Sequence, residues 1–219
     1  NGFSVIGLLR QFTFNNDAGD LVDQAQSGYN LTATGSPLKV SGVDGDANGA
    51  YKFDGTGNQY LTGSDSGLPA GNSPQTLCAW VNPAGAASGY AMAAAYGDTD
   101  WVYLGTHNGL RVNAGHSGIG NTDGVGLPLN TWAHVCVAYS GTVQTVFVNG
   151  VVDNTQTPGG SRATTLNSLK IGKQSATNPA FSYFFHGRVD DVRVYAGSLS
   201  AADIRQMAIQ VPNGLKAYY

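Results

Sequence analysis

The sequence predicts an all-β chain closed by a single short helix, and three observations carry that reading. Glycine supplies 31 of the 219 residues while only 11% are charged, a turn-rich and helix-poor balance. Short runs of alternating apolar and polar residues recur along the chain, separated by Gly, Asn and Ser. Only after Ser200 does the period change. Ser200-Ala-Ala-Asp203 has the spacing of an N-cap with an acid in the first turn, and Leu199 and Ile204 sit at hydrophobic-staple positions. Ile204, Met207 and Ala208 then form one apolar stripe that Pro212 ends. With 42% apolar residues the chain can bury one large core, and residues 1–212 are read as one domain.

In order, Ser4 to Phe14 reads as a first strand, followed by a loop from Asn15 to Gly28 rich in carboxylate and amide oxygens. Ala50 to Gly55 reads as a strand and turn. The preceding Asp44, Asp46, Asn48 and Gly49 match the first half of an EF-hand loop, but Gly55 stands where the closing Glu belongs and Lys52 falls among the ligands, so a turn is expected. Gln75 to Val81 is a strand closed by Asn82-Pro83. Trp101 to Leu104 and Leu110 to Asn113 form a hairpin around Thr106-His-Asn-Gly109, where Asn-Gly favours positive φ. Ala114 to Asn130, with five glycines, is expected as a long exposed loop. Thr131 to Gly141 and Val143 to Val152 supply strands with a second Asn-Gly turn at Asn149-Gly150, and Leu166 to Gly172 another. In the last strand, His186 to Tyr195, a period of two puts Val192 and Val194 on one face and Asp191, Arg193 and Tyr195 on the other. Asp190 falls in phase with the valines, towards the core, where a carboxylate needs a partner.

Gly187-Arg-Val-Asp-Asp-Val-Arg-Val-Tyr195 with Leu199-Ser and Ile204, Trp132-x-His-Val-x-Val-x-Tyr139 with Val146-x-Val-Asn-Gly-Val151, Ala50-Tyr-x-Phe-x-Gly55 and Leu169-x-Ile-Gly172 together resemble the laminin G-like domains of the concanavalin A-like lectin superfamily, over residues 7 to 209. The resemblance implies a two-sheet antiparallel jelly-roll sandwich. Gly7-Leu8 and Phe12-Thr-Phe14-Asn15 resemble the family opening, with Gln11 replacing an aromatic residue and Asn15 an acid. Gly214 to Tyr219 repeats that opening, so residues 213–219 are either a tail pairing at a sheet edge or the start of a further repeat. Cys78 and Cys136, in two strand-like runs, are either buried free thiols or a disulfide, since their positions match the paired cysteines of pentraxins. A bridge would place the protein outside the cytosol. In the resembling superfamily the acid opening the last strand often binds calcium. This implies one structural calcium ion held by Asp190 with oxygens from Asn15, Asp17 and Asp20 and from the Asp54-Gly55 turn. The alternative is an Asp190 hydrogen-bonded to backbone amides.

A net charge of -3 and a pI near 5.7 leave no electrostatic footprint for nucleic acid or an anionic membrane, and no run of 18 apolar residues is present to span a bilayer. A start at Asn1 without an apolar leader suggests a mature or excised fragment. All fourteen acidic residues are aspartates, so the E-x-D-x-E machinery of the β-glucanases in that superfamily is missing, as are a G-x-S-x-G elbow, a phosphate loop and H-E-x-x-H. Of the scattered histidines, His134 is expected in the core and His107 and His116 in surface loops. The expected function is therefore non-enzymatic: a secreted or cell-surface binding module of adhesin or carbohydrate-recognition type, stabilised by calcium, with a glycan or cell-surface glycoconjugate as partner and an oligomer possible. The alternative is a structural spacer or oligomeric fibre-tip domain without its own ligand site. The candidate ligand face is Trp101 and Tyr103, which alternate with Val102 and Leu104, beside Asp98, Asp100, Arg111 and Asn113. A sugar stacks its apolar face on a ring while its hydroxyls need fixed polar partners. Alternatively, Trp101 packs under the Ala114 to Asn130 loop as a satellite core.

Overall fold

A computed structural model describes residues 7–15, 21–117, 123–178, 180 and 183–210. Two antiparallel sheets form the expected jelly-roll sandwich. The larger runs β12 (Val151–Gln156), β11 (Gln144–Val148), β10 (Ala133–Tyr139), β6 (Gln75–Pro83), β14 (His186–Ala196), β4 (Ala50–Asp54) and β3 (Leu38–Val40), with β1 (Leu8–Phe12) also paired to β14. The smaller runs β2 (Thr32–Thr34), β5 (Tyr60–Gly63), β13 (Leu169–Ile171), β7 (Ala87–Tyr96), β8 (Val102–Gly109) and β9 (Arg111–His116). The alternation read from the sequence sorts the faces: Leu77, Ala79, Val81, Val135, Val137, Val102 and Leu104 enter the shared core with Phe12, Phe53 and Ile171. Residues 213–219 lie outside the described residues.

The outer face of the larger sheet carries a second apolar cluster, and the single helix packs on it. Cys78 and Cys136 are direct partners on β6 and β10. Their Cα atoms stand 4.1 Å apart and the sulfurs are bonded, the close spacing that a non-hydrogen-bonded antiparallel pair provides. Helix α1 (Ala201–Ile209) covers the bridge, packing Ile204 and Met207 onto it together with Phe147 and Tyr195. A capping box starts the helix: the Ser200 hydroxyl accepts from the Asp203 amide, and the Asp203 carboxylate accepts from the Ser200 amide.

β14 departs from a simple period of two. Asp190 pairs with Trp80 and Arg193 with Cys78, so β14 carries one extra residue opposite β6, and Asp191 takes a positive φ of 42°. This is a β-bulge. Val189 enters the core together with Val192 and Val194, which puts Asp190 on the outer face with Trp80. The phase argument for an inward Asp190 is therefore overturned, although Asp190 is still fully buried. The bulge lies where β4, paired to residues 186–189, gives way to β1, paired to residues 192–195.

The expected loop from Ala114 is shorter than its glycines suggested. β9 continues to His116, and residues 124–127 return along it through amides donated to Leu110, Val112 and, in reverse, Val125 carbonyls. Neither histidine of this region is a free surface residue. His107 is half-buried against Asp123, and His116 is fully buried in a polar cluster with Gln75, Gln144 and the edge of Tyr139.

Candidate functional site

Two places on the molecule gather the residues singled out by the sequence. The first is the rim where β7 hands over to β8. Asp98, Thr99, Asp100 and Trp101 connect these strands, and they face Ser117 at the end of β9 and Ala176, Thr177 and Asn178 across a cavity of about 330 Å³. The loop is held in shape by its own side chains. Asp98 accepts from the Thr177 amide and hydroxyl, at 2.6 and 2.9 Å, and Asp100 accepts from the Ala163 amide, with the Arg162 guanidinium 4.0 Å away. Thr164 donates to the Asp100 carbonyl, so the turn with Asp100 at a positive φ of 45° is clamped from two sides.

The six expected ligand residues divide here. Trp101 and Tyr103 do lie on the outer face of the smaller sheet, with Val102 and Leu104 in the core. They are no open platform, however: Trp101 is 7% and Tyr103 1% exposed, packed in a satellite cluster with Ala176 and Tyr183. Trp101, Asp98 and Asp100 line the cavity together. Tyr103 instead donates to Asn113 at 2.6 Å, Asn113 reaches Asp123, and Asp123 meets His107 at 2.6 Å. His107 stacks on Tyr90 with ring centroids 4.0 Å apart. Arg111 is exposed and donates to the Gly124 carbonyl. Thr99, Ser117, Thr177 and Asn178 were missed because they gather from three separate segments.

The second place is the bulge. Asp190 Oδ2 accepts from the Val43 amide and Oδ1 from the Asp191 amide. Burial, with the nearby charges of Asp191 and Asp44, pushes its carboxyl up to about 8 against the pull of those two amides. The 42–49 turn lies directly on it: a methyl group on Gly42 would stand 2.7 Å from Asp190 Oδ2, and one on Gly49 2.6 Å from Asn15 Oδ1. Asn15 donates to Asp44, while its buried Oδ1 has no hydrogen-bond partner among the described residues. Asn15, Asp46, Ala47 and Asn48 line a cavity of about 220 Å³.

So the turn that resembled half an EF-hand supplies one acid near Asp190, Asp44. Asp54 and Gly55 do not. Asp54 pairs with His186, four positions before Asp190 on β14, roughly 13 Å along a strand, and its carboxylate closes its own turn onto Thr56. Asp17 and Asp20 lie outside the described residues. Asp23, at the end of the same loop, is committed to Arg10 and to the amides of Gln11 and Ala25.

His134 is buried, but on the outer face of the larger sheet beside Cys136 and Trp80 instead of in the shared core. It sits 5.2 Å from Trp80 and 3.8 Å from the Cys136 sulfur, and burial pushes it down to about 3. His116 is pushed down to about 4 by burial, against the hydrogen bond that its ring donates to Gln144 Oε1.

The family model for the concanavalin A-like lectin/glucanases superfamily matches residues 53–205. No curated protein sequence matches the chain. Among solved structures, domain 4 of the extracellular arabinanase AbnA from Geobacillus stearothermophilus, in complex with arabinotriose, is similar at 22% identity and a TM-score of 0.68, covering 92% of this chain and 98% of that one. The Trypanosoma rangeli sialidase is similar at 15% identity and a TM-score of 0.70, over 94% of this chain but only 33% of the sialidase. The binding domain of botulinum neurotoxin serotype G is similar at 12% identity and a TM-score of 0.64, over 91% of this chain and 50% of that one. At these identities the solved structures establish the fold, and the family match, which spans most of the described β-sandwich including β14 and its bulge, establishes descent: the chain belongs to the concanavalin A-like lectin/glucanase superfamily.

Proposed function

We infer that the chain is a non-catalytic glycan-binding module whose sugar sits in the rim cavity beside Trp101. The observation that carries this reading is the lining of that cavity. One aromatic edge and the Ala176 methyl lie among hydroxyl and carboxamide groups of Thr99, Ser117, Thr177 and Asn178, with two carboxylates already fixed in place. A pyranose or furanose offers the complement, apolar C–H faces rimmed by hydroxyls, and the cavity volume is at the small end of ligand sites. The arabinanase domain that matches over nearly its whole length is in complex with arabinotriose, so a neutral pentose oligomer is the first class to test.

Catalysis is not part of this reading. The chain has no glutamate, and the two carboxylates of the cavity are on one loop, spending oxygens on Thr177 and Ala163. The bridged cysteines support an oxidising, extracellular setting for an adhesin-like or enzyme-appended module.

Calcium fits the cradle at the bulge. Asp190, Asn15 and Asp44 would hold it, the buried and unpartnered Asn15 oxygen being the feature a hard cation would satisfy. When bound it would supply charge neutralisation, with Asp190 ionised and the 42–49 turn held to the junction of β1, β4 and β14.

Isothermal titration with arabino-oligosaccharides tests the glycan reading. Asn178→Ala, at an exposed position, should weaken binding about five-fold with the melting temperature unchanged, the worth of one neutral hydrogen bond. Trp101→Ala should abolish binding and also cost about 3–5 kcal/mol of stability, because the ring is buried. Wild-type affinity in both variants would place the ligand elsewhere.

A further inference from the structure

We propose a second, anion-selective subsite on the outer face of the larger sheet, built from Lys52, Arg188 and Asn82 and suited to the carboxylate or sulfate group of an acidic saccharide. Leu38, Lys52, Arg188 and Asn82 are direct register partners across β3, β4, β14 and β6. Their neighbours Tyr51, Val189 and Val81 enter the core, so by the alternation of strands this row faces outward. Helix α1 covers the other half of the face, over Cys78 and Tyr195, and beyond it Lys52 and Arg188 are half-buried.

The row is unusual because it holds two cations and no carboxylate. Two like charges placed directly opposite on neighbouring strands repel, yet Lys52 and Arg188 occupy that position in a chain of net charge -3. Arg10, Arg162 and Arg193 are each matched with an aspartate. Among the described residues, Lys52 and Arg188 have no carboxylate within ion-pair distance, and the 5% exposed Asn82 side chain makes no hydrogen bond. The acids on the same face are engaged: Asp54 with Thr56, and Asp190 with the Val43 and Asp191 amides. One row further on, the buried Trp80 Nε1 also lacks a partner among the described residues. A planar guanidinium beside an ammonium and a carboxamide is the donor set that an oxyanion accepts from. Leu38, 61% exposed at the end of the row, offers apolar surface for the sugar ring that bears it.

The saccharide class rests on the glycan reading above, whereas anion binding at this row does not, and the experiment separates them. Amide chemical shifts of the whole chain are followed while inorganic sulfate is added, with chloride at equal ionic strength as control, and then with paired neutral and uronate-bearing oligosaccharides. The expected result is sulfate-specific shifts at Lys52, Asn82 and Arg188, and at least ten-fold tighter binding of the acidic saccharide than of its neutral partner. Both should be lost in the double variant Lys52→Gln, Arg188→Gln at these half-buried positions, which should keep neutral-sugar binding at the rim. Sulfate shifts with no preference for the acidic saccharide would overturn the ligand class, and the absence of sulfate-specific shifts would overturn the site itself, whatever the rim cavity binds.

Discussion

Reducing the Cys78–Cys136 bridge will lower the unfolding free energy by about 4 kcal/mol, the chain-entropy value for a loop of this size, here 58 residues in sequence separation. Replacing both cysteines by alanine should cost at least as much. The bridge also forms the floor on which Ile204 and Met207 rest, so α1 should loosen first, seen as faster amide exchange at residues 201–209 in the reduced protein. Urea unfolding with and without reductant measures the global effect. Coincident midpoints would mean that the two strands, already registered by seven paired positions of β6 and β10, gain nothing from the cross-link.

The second large effect is in the pH dependence. Unfolding releases three buried groups whose folded values differ from the ordinary ones. His116 and His134 are held down to about 4 and about 3, so the stability they contribute is present above pH 6.5 and is lost as pH falls towards those values. Asp190 is held up to about 8, so its contribution is present below pH 4 and is lost as pH rises through 8. Between pH 4 and 6.5 the unfolded chain binds two protons more through the histidines and one fewer through Asp190, and stability rises with pH. Above 6.5 only Asp190 remains and stability falls.

In EDTA the account therefore predicts a maximum near pH 6.5 and a decline of a few kcal/mol by pH 9. Calcium should flatten the alkaline limb by favouring ionised Asp190. Asp190→Asn should flatten it without calcium and should abolish any rise in melting temperature on adding the metal. An alkaline limb insensitive to calcium in the wild type would leave Asp190 as a carboxyl satisfied by the Val43 and Asp191 amides alone, the alternative that their hydrogen bonds already support.

Where residues alternate under one local constraint, the sequence was a good guide. β6, β10 and β14 read directly as strands, Ser200 and Asp203 marked α1 to the residue, and the Asn-Gly pairs appear as turns, with Asn108, Gly109, Asn149 and Gly150 all at positive φ. β7 was not legible. Ala91-Met-Ala-Ala-Ala-Tyr96 carries no alternation and has helical propensity, but it lies between β8 and β13, with core on one face and Trp101, Tyr103 and Ala176 on the other. A strand buried on both faces loses its period, and its small side chains let Ala176 and Tyr183 approach.

The sites failed for a related reason, because both are assembled across distance. Asp190 was recognised, but a one-residue bulge changed its face, and its companion Asp44 comes from the 42–49 turn, which no local spacing connects to β14. Trp101, Asp98 and Asp100 share a loop and were found together. Their partners Thr177 and Asn178 belong to a segment that folds back from β13, with no signal of its own in the sequence.

The central claim is that a sugar is bound at the rim between β7 and β8. Amide chemical-shift mapping with the tightest-binding neutral oligosaccharide from a glycan array tests it directly. The account predicts saturable shifts concentrated at Thr99, Asp100, Ser117, Thr177 and Asn178, together with the Trp101 indole N–H. Shifts confined to another surface, such as the Tyr90 and His107 stack, or no shifts with any glycan on the array, would contradict it.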